Sequence, residues 1–166
     1  MLEKPYEVKK NYYDVITNWQ TAINILYKSE KTQKKPMLWF KIKTRRLSDD
    51  IPRLNIFHQK INKEYGSNYY DKCKWYDSFD SSCDCPGIWH IDGPVISLDN
   101  STVSPHRDIK DSAYLQILGK SFWKIDGKDI VVLEPNDLIL VSNQITHEVW
   151  GEGPRMGILF FALNSE

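Results

Sequence analysis

No stretch of the 166 residues is apolar for long enough to cross a bilayer as a helix, so a helical membrane protein is excluded. Cysteine is scarce and odd in number, three in all, which argues against a closed disulfide framework and for a reducing compartment. The opening MLEKPYEVKK lacks the apolar core of a signal peptide, so the expected localisation is cytoplasmic. Net charge is also missing: 22 Lys and Arg balance 22 Asp and Glu. No internal repeat and no low-complexity tract is present. What is there reads as globular, with hydrophobic residues at 41% and aromatic residues at 13%. The length suits one domain spanning residues 1–166.

The balanced charge is unevenly spread. Residues 1–75 hold 16 Lys and Arg against 8 Asp and Glu, and the remainder holds 6 against 14. Within one domain the two parts attract each other. The cluster Lys41, Lys43, Arg45 and Arg46 would be the centre of a basic face for an anionic partner, so a nucleic-acid partner is not excluded.

Texture divides the chain near residue 72. Tyr12 to Lys28 carries Val15, Trp19, Ala22, Ile23 and Leu26 near helical spacing. Lys28 to Lys35 is polar and closed by Pro36, which predicts a loop, and Met37 to Lys43 alternates as a strand does. Ser48, Asp49 and Asp50 are candidate caps ahead of Pro52, for a helix that runs to Tyr65, stops at Gly66 and buries Leu54, Phe57 and Ile61. From residue 73 short β-forming runs follow one another: Cys73–Phe79, Val95–Leu98, Tyr114–Leu118, Phe122–Ile125, Ile130–Leu133, Leu138–Val141, His147–Trp150 and Met156–Leu163. Gly, Pro, Asn and Asp punctuate them, the pattern of an antiparallel sandwich or jelly roll. The expected organisation is an α/β extension over residues 1–72 packed on a β core over 73–166.

The stretch VSPHRDIKD places His106 and Asp108 two apart, so that both side chains leave one face of an extended strand end. His147 opens a later β run. Two histidines and one carboxylate on one side of a metal leave coordination positions open, the facial arrangement of non-haem Fe(II) oxygenases. Arg155 opens the last strand, beyond the turn Gly151-Glu152-Gly153-Pro154, and shares a face with Gly157, Leu159 and Phe161. A guanidinium there would grip the far carboxylate of a chelating 2-oxo acid, with Gly157 leaving room for it.

Residues Val95 to Leu163 resemble the double-stranded β-helix (cupin) oxygenases that use Fe(II) and 2-oxoglutarate, including short proteins of phages and bacteria. The front half, HRD then YLQILGKSFW, is similar to the JmjC and ribosomal-oxygenase pattern H-x-D … Q-x-x-G-[KR]-x-x-W. LEPNDLILV resembles the family's L-x-P-G-D segment, with Asn136 where Gly is usual, and THEVWGEGPRMGILFF resembles endings of the H … R-x-[SG] kind and the His-Glu-Val-Trp stretch of aspartyl/asparaginyl hydroxylases. The resemblance implies a jelly-roll double-stranded β-helix with N-terminal helices packed outside. It implies His106, Asp108 and His147 as iron ligands and catalytic residues. It further implies 2-oxoglutarate and dioxygen as co-reactants, and hydroxylation of an unidentified primary substrate. Asp108 speaks against the halogenases of the superfamily, which lack that carboxylate.

One position departs from the pattern. The JmjC-type basic anchor for 2-oxoglutarate falls on Ser121, and Lys120 and Lys124 have the opposite strand parity, so the role passes to Arg155. Gln116 and Ser121 are taken with Arg155 as cofactor-binding positions.

Alternatives remain within the sequence. His90 and Asp92 in WHIDG form a second His-x-Asp; they are set below His106 because Gln116, Gly119 and Trp123 follow His106 at the family spacing. His90, Asp92, Trp123 and Trp150 are candidates for contact with the substrate. Cys73, Cys83, Cys85 and His90 have zinc-ligand chemistry but lack paired Cys-x-x-Cys spacings, so they read as free thiols. Two other functions stay open: a metal cupin with other chemistry (a 2-oxoglutarate-independent dioxygenase or an isomerase), and a non-catalytic cupin-like binding module. The oligomeric state, a homodimer included, is open.

Overall fold

The structure is a computed structural model and describes residues 2, 4–15, 17–28, 39–41, 51–66, 88–100 and 102–162. The expected strand Cys73–Phe79, the cap candidates Ser48, Asp49 and Asp50, the loop after Lys28, the three cysteines and Lys43, Arg45 and Arg46 lie outside the described residues.

In chain order the elements are β1 (Tyr6–Lys9), α1 (Trp19–Lys28), β2 (Trp39–Lys41), α2 (Leu54–Tyr65), β3 (Trp89–Ser97), β4 (Val103–His106), β5 (Asp111–Leu118), β6 (Ser121–Ile125), β7 (Asp129–Leu133), β8 (Leu138–Val141), β9 (His147–Trp150) and β10 (Arg155–Ala162). They form a six-stranded sheet ordered β1-β8-β5-β10-β3-β2 and a four-stranded sheet ordered β4-β9-β6-β7. Every described strand pairing is antiparallel. From β3 onward the chain passes back and forth between the sheets, which makes the sandwich a jelly-roll double-stranded β-helix.

The centre of the six-stranded sheet, β5, β8 and β10, is buried on both faces. On β5, Ala113, Leu115 and Ile117 point outward, and on β10 Met156, Ile158, Phe160 and Ala162 do the same. They pack against Ala22 and Ile25 of α1 and Leu54, Phe57 and Ile61 of α2. Tyr114 and Leu159 point the other way, into a second core between the sheets with Val95, Trp123, Ile125, Ile139 and Val149. Burial on both faces explains why β5 and β10 show no polar/apolar alternation along their length. On β6 the parity is clean: Ser121, Trp123 and Ile125 are buried, and Phe122 and Lys124 face outward.

The N-terminal part departs from its expected form in three places. Helix α1 begins at Trp19, because Asn18 Oδ1 accepts the Thr21 N–H at 3.0 Å and caps it there. Tyr12 to Val15 is instead tied to the β7–β8 turn: Tyr12 N–H donates to the Asn136 carbonyl at 2.8 Å, and Val15 N–H to Asn136 Oδ1 at 3.3 Å. The apolar stripe is also rotated, with Ala22 and Ile25 buried while Trp19 and Ile23 are exposed. Second, the N-cap position of α2 is Arg53, in the left-handed region at φ 66°, with no side-chain cap hydrogen bond. Its end and its stripe are as expected: Gly66 N–H bonds the Asn62 carbonyl at 2.8 Å, and Leu54, Phe57 and Ile61 are buried. Third, β1 adds an edge strand beside β8 that sequence pattern did not indicate. Asn136 adopts φ 78°, a left-handed turn conformation that Asn tolerates better than other side chains, which accounts for a residue other than Gly at that place.

Candidate metal centre

Antiparallel pairing of β4 with β9 sets His106 directly opposite His147. Their ring centroids are 4.3 Å apart. Asp108 lies two residues beyond the end of β4, on a segment held against the β8–β9 loop by the Arg107 Nε–H donating to Thr146 Oγ1 at 3.0 Å. Its carboxylate stands between the imidazoles, with Oδ1 3.7 Å from His106 Nε2 and Oδ2 3.6 Å from His147 Nε2. One donor atom from each residue lies within 4.8 Å of the others, and this is the only such cluster of three His, Cys, Asp or Glu among the described residues.

The remaining ring nitrogens fix the tautomers. His106 Nδ1 sits 2.8 Å from the Ser104 carbonyl and His147 Nδ1 3.2 Å from the Ile145 carbonyl. A carbonyl only accepts, so each Nδ1 carries the hydrogen. When its Nε2 carries no proton, each ring presents a bare lone pair toward Asp108, the state a metal requires. Burial holds the His147 pKa below the ordinary imidazole value, and the charge of Asp108 only partly offsets it. The donor set of two imidazole nitrogens and one carboxylate thus fits a divalent first-row metal.

These three side chains line a cavity of about 50 Å³ between the sheets, room for several waters. Val95, Val103, Val149, Leu159 and Trp123 form its apolar wall, and Tyr114 and Arg155 bring polar groups into it. Arg155 is 3% exposed. Two glycines make its seat: a Cβ on Gly151 would overlap the guanidinium, and one on Gly119 would press on the Pro154 carbonyl and the Arg155 backbone. Arg155 Nη1 donates to the Asp99 carbonyl at 3.0 Å. Burial lowers its pKa below the ordinary guanidinium value, Tyr114 and Asp99 oppose the shift, and the guanidinium stays charged.

The structure redistributes the other expected positions. The space left by Gly157 is taken by the Tyr114 phenol rather than by room for a ligand, since a Cβ there would overlap that ring. Tyr114, which sequence reasoning missed, is buried, and its hydroxyl is held well above the ordinary phenol range by desolvation. A glycine inside a strand marks close approach of a neighbour, and register places Gly157 one alternate position from Leu159, the partner of Tyr114. Gln116 and Ser121 do not line the cavity; their polar atoms bond to each other, to Trp123 and to main-chain carbonyls. Trp123 does line it. Trp150 does not: its β9 position has outward parity, and its ring stacks on Phe122, with centroids 5.6 Å apart, on the far face of the small sheet. His90 and Asp92 lie on β3, beside a break in register with β10, and are not part of the metal-ligand cluster. Lys120 pairs with Glu134 at 2.7 Å, away from the cavity.

Two antiparallel sheets of this order, closed around a cavity lined in part by His, Asp and His, decide the architecture. The fold is that of a cupin barrel. No protein-family model matches the chain, and a search of curated proteins gives no match. Among solved structures, the chain is similar to a cupin superfamily protein from Desulfitobacterium hafniense at 21% identity and TM-score 0.42, over 46% of this chain and 68% of that one. It is similar to the Escherichia coli ribosomal oxygenase YcfD at 24% identity and TM-score 0.39, over 45% of this chain and 24% of that one. It is also similar to the DMSP lyase DddQ from Ruegeria pomeroyi at 15% identity and TM-score 0.41, over 45% of this chain and 38% of that one. The matched part thus spans about a quarter of the ribosomal oxygenase. Each of these likenesses covers less than half of this chain. No helix among the described residues is long and apolar enough to cross a membrane.

Proposed function

We propose that this protein is an Fe(II)- and 2-oxoglutarate-dependent oxygenase that hydroxylates a substrate still to be identified, within one domain whose first 72 residues buttress the barrel. The observation that carries the reading is the convergence of His106 Nε2, His147 Nε2 and the Asp108 carboxylate at a cavity that also holds a buried arginine. His106, Asp108 and His147 would hold the iron. A bound iron with open coordination positions would supply dioxygen activation coupled to oxidative decarboxylation of 2-oxoglutarate.

The chain's own residues do the rest. The Ser104 and Ile145 carbonyls keep both imidazoles in the ligating tautomer. Arg155 offers a buried cation to the far carboxylate of 2-oxoglutarate, and the Tyr114 hydroxyl, whose pKa burial raises further above neutrality, is a second donor from the same wall. Ser121 cannot take the JmjC-type anchoring role, because its hydroxyl is committed to Gln116 and Trp123. The apolar wall excludes bulk water and strengthens electrostatic interactions inside. Trp123 is the candidate surface for the substrate within the cavity; His90 and Asp92 are candidates outside it.

A second reading is a metal cupin without 2-oxoglutarate, which the same His-Asp-His donor set would serve. The test is anaerobic Fe(II) binding by the wild type and by His106→Ala, His147→Ala and His90→Ala. One iron per chain in the wild type and in His90→Ala, with loss in the other two, is expected. Full binding by both His106→Ala and His147→Ala would refute the centre, and loss in His90→Ala alone would move it to His90 and Asp92. Succinate release with 2-oxoglutarate, ascorbate and air then separates the two readings: the oxygenase produces it and the other cupin does not.

A further inference from the structure

Behind the metal-ligand cluster runs a buried chain of hydrogen bonds with a fixed direction. The Trp123 indole N–H donates to Ser121 Oγ at 3.0 Å. An indole N–H only donates, so the Ser121 hydroxyl hydrogen is directed onward, to Gln116 Oε1 at 2.7 Å. The Gln116 amide nitrogen then faces two main-chain carbonyls, Leu118 at 2.7 Å and Met156 at 3.3 Å. Gln116 and Ser121 are each 0% exposed, so reversing this polarity would leave buried groups unsatisfied. The chain ends on an aromatic ring that lies against a ligand of the cluster: Trp123 stacks on His147 with centroids 5.5 Å apart and planes 24° apart. His147's own anchor, to the Ile145 carbonyl, is 3.2 Å long. That bond fixes the tautomer, and the face of Trp123 limits rotation of the ring.

We propose that Gln116 and Ser121 are positioning residues for His147, acting through the indole N–H of Trp123 to hold the imidazole at the angle the metal needs. The inference rests on the metal-centre reading of His106, Asp108 and His147. It gives a role to a serine that stands where an anchoring base was expected: the hydroxyl relays orientation and does not bind the cosubstrate.

Anaerobic titration with Co(II) alone tests this, because the visible bands of Co(II) report coordination geometry as well as affinity. Ser121→Ala should weaken Co(II) binding about ten-fold, the lower end of what loss of an outer partner costs a metal site, and should shift the visible bands. Ser121→Thr, which keeps the hydroxyl, should restore both. Trp123→Phe keeps an aromatic ring and removes the N–H, and should reproduce the Ser121→Ala spectrum. Adding Ser121→Ala to Trp123→Phe should then change nothing further, because both substitutions cut the same chain. A merely structural role would give additive effects on affinity and no common spectrum, and that result overturns the inference, as does a wild-type spectrum and affinity in Ser121→Ala. His147→Ala separates this failure from failure of the centre: Co(II) binding that survives its loss refutes the centre, whereas loss there beside a normal Ser121→Ala refutes only the positioning role.

Discussion

Replacing Arg155 by alanine removes the one Arg or Lys that follows His147 in the chain. The guanidinium is 3% exposed and belongs to the cavity wall, while the metal-ligand cluster is built from other residues. Arg155→Ala is therefore expected to keep one Fe(II) per chain and to lose 2-oxoglutarate. A carboxylate bound beside so buried a cation interacts with little screening by water. Truncating one partner of a buried, hydrogen-bonded charge pair costs ~2–5 kcal/mol, or roughly thirty-fold to several-thousand-fold in affinity. Arg155→Lys should recover only part, since an ammonium cannot make two parallel hydrogen bonds to a carboxylate. Lys120→Ala and Lys124→Ala are the controls: Lys120 pairs with Glu134 at the surface, and Lys124 lies on the outward face of β6. Calorimetric titration of the Fe(II)-loaded protein with 2-oxoglutarate, without oxygen, reads all four variants. Wild-type affinity in Arg155→Ala together with loss in Lys120→Ala or Lys124→Ala would refute the reasoning.

Two further expectations concern the frame of the site. Gly157→Ala places a Cβ into the Tyr114 ring, so it should destabilise the fold by ~1–3 kcal/mol through overpacking, read as a lower denaturant midpoint; an unchanged midpoint would contradict the Tyr114–Gly157 contact. Asp137→Asn should cost ~1–3 kcal/mol near pH 7, because the buried Asp137 carboxylate accepts from Lys10 at 2.6 Å and from the Asn11 and Glu134 amides at 3.0 and 2.8 Å. Burial pushes that carboxyl up, but the ammonium and the two amides outweigh it and hold the pKa below the ordinary value of 3.8. The contribution is thus complete above about pH 4 and lost as pH falls through the folded-state value, so the wild type should converge on Asp137→Asn in acid. A difference that persists unchanged below that range would assign the stability to something other than the charge.

Much of the barrel was legible because local chemistry and final packing agree there. The β6 alternation, the Leu54, Phe57 and Ile61 stripe and the edges of β8 and β9 each follow from a period visible in a few residues. The cluster was legible for a similar reason: His106 and Asp108 are close in sequence, and only the register with His147 is long-range. What escaped depends on distant partners. Strand β1 is four residues long and exists through pairing with β8. The phase of α1 is set by the tie of Tyr12 to Val15 to Asn136, which rotates Trp19 and Ile23 outward. Trp150 was expected near the cavity because it follows His147 closely, yet strand parity sends it to the other face. Tyr114 was missed because its role depends on the gap at Gly157, across the β5–β10 pair.

The central claim, that His106, Asp108 and His147 hold an iron to which 2-oxoglutarate chelates, has a direct spectroscopic test. Fe(II) is added to the wild-type protein without oxygen, followed by 2-oxoglutarate, and the visible spectrum is recorded. The account predicts a weak charge-transfer band that saturates with 2-oxoglutarate and is absent from His147→Ala. A metal site that binds Fe(II) but whose spectrum 2-oxoglutarate leaves unchanged at any concentration would contradict it.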